Sequence, residues 1–195
     1  MAANVMTRLN VPQWRLVNLL ERHARFVASR PLPRMLSMAE AGPEDLAGLV
    51  EMELVDANQG GVPVVGLDVL LREEGLEGSS KESLACTQIR LNIDGLRWVY
   101  ESPDNLVIHA IGENQTGAKG VRFGDLCRKV SITFEPALLL RFAELRLVRF
   151  TDPADRDLTP EDLERQVRRS GGAWTRSTDH HRVRLTTAGE RIVAP

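Results

Sequence analysis

Residues 87–99 read TQIRLNIDGLRWV, and residues 181–193 read HRVRLTTAGERIV. Laid over one another at an offset of 94, they share Arg90/Arg184, Leu91/Leu185, Gly95/Gly189, Arg97/Arg191 and Val99/Val193, with Ile89/Val183 a conservative pair. At ordinary residue frequencies a window of this size gives roughly one chance identity or fewer. Helical or strand periodicity explains matched apolar positions, but it does not explain matched glycines and arginines.

Two further blocks extend the match. PEDLAGLVEMELV (43–55) lies over PALLLRFAELRLV (136–148) at an offset of 93, with Pro43/Pro136, Leu46/Leu139, Glu51/Glu144, Leu54/Leu147 and Val55/Val148 identical. LDVLLREEG (67–75) lies over LERQVRRSG (163–171) at an offset of 96, with Leu67/Leu163, Arg72/Arg168 and Gly75/Gly171 identical. Three blocks in one order, with nearly constant offset, describe an internal duplication. The expected organisation is a first unit over residues 8–101 and a second over 102–195.

Each unit reads as helices followed by short strands, an α+β, helix-rich class. In the first, VPQWRLVNLLERHARFVASR (11–30) carries Trp14, Val17, Leu20 and Phe26 at helical spacing, and Pro31 and Pro33 stop it. A short helix is expected over 34–40. A third starts at Pro43, with Glu44 and Asp45 at the positive end of its dipole. Extended chain follows from Leu54, with a turn at Gly60–Gly61, a short helix over 66–75 and a strand over 87–93. In the second unit helices are expected over 103–114, 122–130 and from a Thr133 cap to Leu145. A strand covers 147–150, and a helix capped by Thr159 runs to Gly171–Gly172. A half-buried strand follows at Arg182–Leu185.

Three helices, a strand, an insert and a second strand make up the order of a winged helix-turn-helix. AELRLVRF (143–150) resembles the end of a recognition helix running into the first wing strand. VRLTTAGERI (183–192) is similar to the second wing strand and its LTxxG continuation in winged-helix regulators, and ELVDA (53–57) with IRLNIDGLRWV (89–99) are weaker copies. The resemblance is to the winged helix-turn-helix superfamily in a tandem arrangement, and it names no narrower family. It implies small β-wings and contact with double-stranded DNA through the third helix and the wing, as a transcription regulator makes.

Charge divides the two units. Residues 1–100 carry 10 Lys+Arg against 13 Asp+Glu, and residues 101–195 carry 15 against 14. The third helix of the first unit offers Glu44, Asp45, Glu51 and Glu53 and no cation, so phosphates would be repelled. The third helix of the second unit offers Arg141 among mostly apolar residues, with few groups for base edges. Phe134 and Leu138 on it are candidates for a protein interface. Arg165, Arg168 and Arg169 share a helix face at i, i+3 and i+4. Together with Arg176, Arg182 and Arg184 beyond the Gly171–Gly172 turn, they form the candidate DNA contact. The same arginines also read as a solvated face in which Arg165 and Arg169 pair with Glu161 and Glu164.

Other chemistry has little support. His180–His181 lacks further ligands, and Cys86 and Cys127 have no metal spacing, so neither a metal nor a cofactor is expected. No nucleophile, phosphate-loop or zinc-protease motif occurs, and the expected protein is not an enzyme. No apolar run approaches a membrane span, and residues 1–10 lack a signal-peptide core, so a cytoplasmic protein without a membrane partner is expected. Two functions stay open: a DNA-binding regulator, homodimeric or partnered through its first unit, and a non-catalytic tandem winged-helix scaffold within a larger assembly.

Overall fold

The computed structural model describes residues 8–24, 32–75, 84–129, 136–169 and 180–194. The chain divides into two compact units, Met1–Ser102 and Pro103–Ala194. Each is α+β, helix-rich, with one small antiparallel sheet.

In the first unit, α1 (Val11–Ala24) begins with a reciprocal cap. The Asn10 side chain accepts from the Gln13 N–H at 2.8 Å, and the Gln13 side chain accepts from the Asn10 N–H at 3.1 Å. The sequence predicts an amphipathic helix, but residues 13–20 are buried on every side, Gln13, Arg15 and Asn18 included. Burial of Arg15 is made tolerable by its ion pair with Glu40. Residues 25–30 of the expected helix lie outside the described residues. α2 (Leu32–Ala39) buries Leu32, Met35, Leu36 and Ala39 at i, i+3, i+4 and i+7. α3 (Pro43–Glu51), β1 (Val55–Gln59), β2 (Val62–Pro63), α4 (Leu67–Glu74), β3 (Gln88–Leu91) and α5 (Ile93–Glu101) follow. The strand order is β2-β1-β3. Trp14 of α1 meets Trp98 of α5 edge to face, with ring centroids 6.0 Å apart at 87°. That geometry is worth about 0.5–1.5 kcal/mol beyond the area buried.

The second unit runs α6 (Pro103–Asn114), a single 3-10 turn at Gly117–Lys119, β4 (Val121–Arg122), α7 (Phe123–Lys129), α8 (Pro136–Glu144), β5 (Val148–Thr151), β6 (Asp157–Leu158), α9 (Pro160–Arg169), β7 (Arg182–Leu185) and α10 (Thr187–Val193). Its sheet has the order β4-β7-β5-β6. Thr159 caps α9, where its hydroxyl accepts from the Asp162 N–H at 3.2 Å. The Thr133 cap expected for α8 lies outside the described residues.

Matched positions in the two units do the same structural work. Glu53 and Arg146 each end their helix in the left-handed region, at φ 56° and 55°. The next N–H then reaches back to the helix: Leu54 to the Leu49 carbonyl at 3.0 Å, and Leu147 to the Phe142 carbonyl at 2.8 Å. The Leu54 carbonyl accepts from the Asn92 N–H at 3.2 Å, and the Leu147 carbonyl from the Thr186 N–H at 3.0 Å. Asn92 caps α5 and Thr186 caps α10 through their side chains. Gly95 and Gly189 then lie so close to these carbonyls that a Cβ would stand 2.2 Å from the Leu54 oxygen and 2.1 Å from the Leu147 oxygen. Only glycine fits at either place. Strand register agrees as well: Val55 pairs with Leu91 and Val148 with Leu185. Among the described residues, β4 has no counterpart in the first unit.

Candidate nucleic-acid interface

Alternation along the second unit's strands sends Val121, Val148, Phe150, Val183 and Leu185 into the core. The intervening residues share the opposite face. Across that face Arg122 stands opposite Arg182, Arg184 opposite Arg149, and Thr151 opposite both Arg182 and Asp157. Like charges directly opposite each other on neighbouring strands destabilise a sheet. Here two such pairs sit side by side.

The first unit uses the same register differently. Asp56 stands opposite Arg90, with a 3.6 Å ion pair between them, and Asn58 stands opposite Gln88. By sheet position, Asp56 corresponds to Arg149, Arg90 to Arg184, Asn58 to Thr151 and Gln88 to Arg182. Where one unit has a charge-complementary face, the other has Arg149 in place of the acid and Arg182 in place of one neutral neighbour, with neutral Thr151 in place of the other, so that arginine meets arginine.

Two concavities flank Arg182. One, of about 170 Å³, is lined by Lys119, Arg149, Thr151, Asp155, Asp157, Arg182 and Arg184 among others. The other, of about 310 Å³, is lined by Asn114, Thr116, Arg122, Asp125, Arg128 and Arg182 among others. The Arg182 guanidinium is braced between them by the Lys119 and Gly120 carbonyls at 3.3 and 3.5 Å. Arg149 grips Asp157 with both Nε and an Nη, and those hydrogen bonds hold the Asp157 carboxyl below its ordinary range, with the Arg149 and Arg184 charges adding to the effect. The same contact raises the Arg149 guanidinium further above its already high value. The turn between β5 and β6 is tied by Asp152, which accepts from the N–H groups of Ala154 and Arg156 at 2.8 and 2.9 Å. The Arg156 N–H holds that carboxyl down as well.

The arginines predicted from sequence are distributed as follows. Arg182 and Arg184 lie on the cationic sheet face. Arg165 and Arg168, on α9, are exposed, and each is paired within its helix, with Asp162 at 3.4 Å and with Glu164 respectively. Arg169 is exposed and makes no such pair among the described residues. Arg141 of α8 is turned into an ion pair with Asp104 of α6, and both side chains are less than one-fifth exposed. Leu138 is half-buried on α8. Arg176 and Phe134 lie outside the described residues. His180 is exposed and His181 buried, and among the described residues no three metal-ligating side chains come together.

Arg149, Arg122, Arg128 and Lys119 were not singled out from the sequence. Arg149 carried a signal, since the alternation of VRFT (148–151) puts it on one face with Thr151. β4 is two residues long and too short to show a period. Comparison of the chain with family models, with curated proteins and with solved structures finds no match.

Proposed function

We infer that the chain is a tandem winged-helix protein whose second unit binds duplex DNA through the outer face of its sheet, with α9 alongside. The observation that carries this is the doubled arginine pairing, Arg122 opposite Arg182 and Arg149 opposite Arg184, on a face that is charge-complementary in the sister copy. A local rule broken without a structural gain is the mark of a functional surface. A polyanion adds counter-charge beyond that of Asp157, and arginine forks suit phosphate oxygens. The order α6, α7, α8, β5, insert, β7 supports the winged-helix reading, although fold analogy alone assigns no function.

On this reading α8 is scaffold. Leu139 and Phe142 are buried and Arg141 is tied to Asp104, so little on the described part of the helix offers hydrogen bonds to base edges. Binding is then dominated by backbone contact. The test is fluorescence anisotropy of a short random-sequence duplex titrated with the full chain at low salt. Binding that weakens in Arg122→Ala and Arg184→Ala is expected, and no binding at low salt overturns the proposal.

A second reading is favoured by one observation on the first unit. Val62, Val65 and Val69 around its wing are 67%, 93% and 50% exposed. Exposed apolar residues grouped in this way suit a protein partner, as a scaffold module requires. A self-associating chain that becomes monomeric with Val65→Glu supports it. Unchanged assembly in that variant counts against it.

A further inference from the structure

The cationic face contains its own anion. We propose that in the free chain the Asp157 carboxylate occupies the seat that a backbone phosphate takes in the complex, so that the second unit partly masks its own binding face. This rests on the DNA-binding reading and concerns the regulation of the same site.

The geometry is that of a phosphate seat already filled. Arg149 donates through Nε and an Nη to the two Asp157 oxygens, the fork by which arginine also holds phosphate. The cavity beside them brings Lys119, Arg182 and Arg184 to the same place, and Thr151, across the β5–β6 register from Asp157, adds a hydroxyl. A phosphate arriving there replaces the Asp157 carboxylate among these cations, with Asp155 also in the cavity lining.

The pair is built to be exchanged. Its side chains are 47% and 50% exposed, and ion pairs this open are weak and screened by salt. By contrast, the Arg141–Asp104 pair, at 19% and 17%, is the form used where the chain needs a brace. The sister copy supplies the comparison. It satisfies the corresponding strand positions with Asp56 directly opposite Arg90, and Pro63 stands where the second copy has Asp157. A sheet that needed only neutralising had that solution available. The second copy instead keeps both arginines and brings a carboxylate from the neighbouring edge strand, on a turn that Asp152 holds in shape.

The test is Asp157→Asn in the full chain, with the charge-matched Glu190→Gln, outside the cavity, as control. Anisotropy of a random-sequence duplex is recorded across a salt series. Loss of the internal competitor should tighten binding roughly two- to fivefold, the worth of an exposed ion pair that binding no longer has to break. The slope of the salt dependence should change little, because the same phosphate fills the seat in both complexes. Glu190→Gln should change affinity by less than about twofold, since that charge is screened. Equal effects of the two variants, or weaker binding by Asp157→Asn, overturn the proposal. A second measurement avoids any loss of fold in the variant: in the unsubstituted chain the Arg149 Nε–H resonance should move when duplex is added. A resonance that stays in place while DNA binds overturns the proposal and leaves the DNA-binding reading standing. Failure of the unsubstituted chain to bind at low salt removes both.

Discussion

Gly189→Ala is the sharpest perturbation of the architecture. A Cβ built there stands 2.1 Å from the Leu147 carbonyl oxygen, with the Leu147 carbonyl carbon at 3.1 Å. Ordinary van der Waals contact requires more than an ångström of extra separation, and the obstructing atom is backbone. That oxygen accepts the Thr186 N–H at 3.0 Å, so moving it weakens the junction between α8, β5 and β7. Overpacking of this kind costs about 1–3 kcal/mol, and the disturbed hydrogen bond about 0.5–1.5 kcal/mol. Alanine returns up to about 1 kcal/mol of helix propensity. The net expectation is a loss of about 1–3 kcal/mol. In a unit of this size that lowers the melting temperature by roughly 5–20 °C. The assay is differential scanning calorimetry of the full chain, with Gly95→Ala as the counterpart in the first unit. Gly112→Ala is the control, because its Cβ would meet only the methyl groups of Val193 and Leu185 at 3.1–3.4 Å. If Gly189→Ala is as stable as the parent or more so, as propensity alone would have it, the matched junction is wrong.

Other outcomes follow from the same geometry. Arg141→Ala leaves the half-buried Asp104 unpartnered and should cost about 1–3 kcal/mol in urea unfolding, with any loss of DNA binding traceable to folding and not to contact. Asn92→Ala removes a cap that accepts from the Asp94 and Gly95 N–H groups and donates to the Glu53 carbonyl at 2.7 Å. It should destabilise the first unit by about 1–2 kcal/mol in the same assay. Asp152, Asp157 and Glu161 all sit below their ordinary carboxylate range, Asp152 and Glu161 chiefly through backbone N–H bonds and Asp157 through Arg149. A depressed folded pKa gives stability that is complete above the unfolded value of about 4 and is lost as pH falls through the lower folded value. These groups therefore leave the melting temperature flat from about pH 5 to 8 and lower it below about pH 4. Asp152→Asn should flatten that acid limb, and an unchanged limb contradicts the assignment.

The likeness of the two units was legible because its constraints are backbone constraints. Gly95 and Gly189 match since each meets a carbonyl no other residue could approach, and Leu54 and Leu147 match since they supply it. The caps matched in role though not in type, Asn92 against Thr186, because either side chain satisfies a helix start. The candidate site was legible only in part. Arg182 and Arg184 could be read from alternation. Their neighbours could not, because register decides which strands stand beside them, and register is not written in a two-residue strand such as β4 or β6. Arg141 looked like a surface cation because its partner Asp104 is 37 residues away in sequence. On α9 the spacing points to Arg165 and Arg169 pairing with Glu161 and Glu164, whereas among the described residues the pairs are Arg165 with Asp162 and Arg168 with Glu164.

The central claim is that copy two's sheet face, and not copy one's, is a phosphate-binding surface. The direct measurement is the duplex affinity of the full chain between about 50 mM and about 200 mM salt, beside a variant in which Arg122, Arg149, Arg182 and Arg184 are alanine. Four phosphate contacts give a log–log slope near −3.6 and a loss of about 10²-fold across that range. The account predicts that slope for the parent chain and a nearly flat, weak response for the variant, while Asp56→Arg in the first unit leaves the variant's binding unrestored. A parent chain that does not bind at about 50 mM salt, or a variant that binds with the parent's affinity and slope, contradicts it.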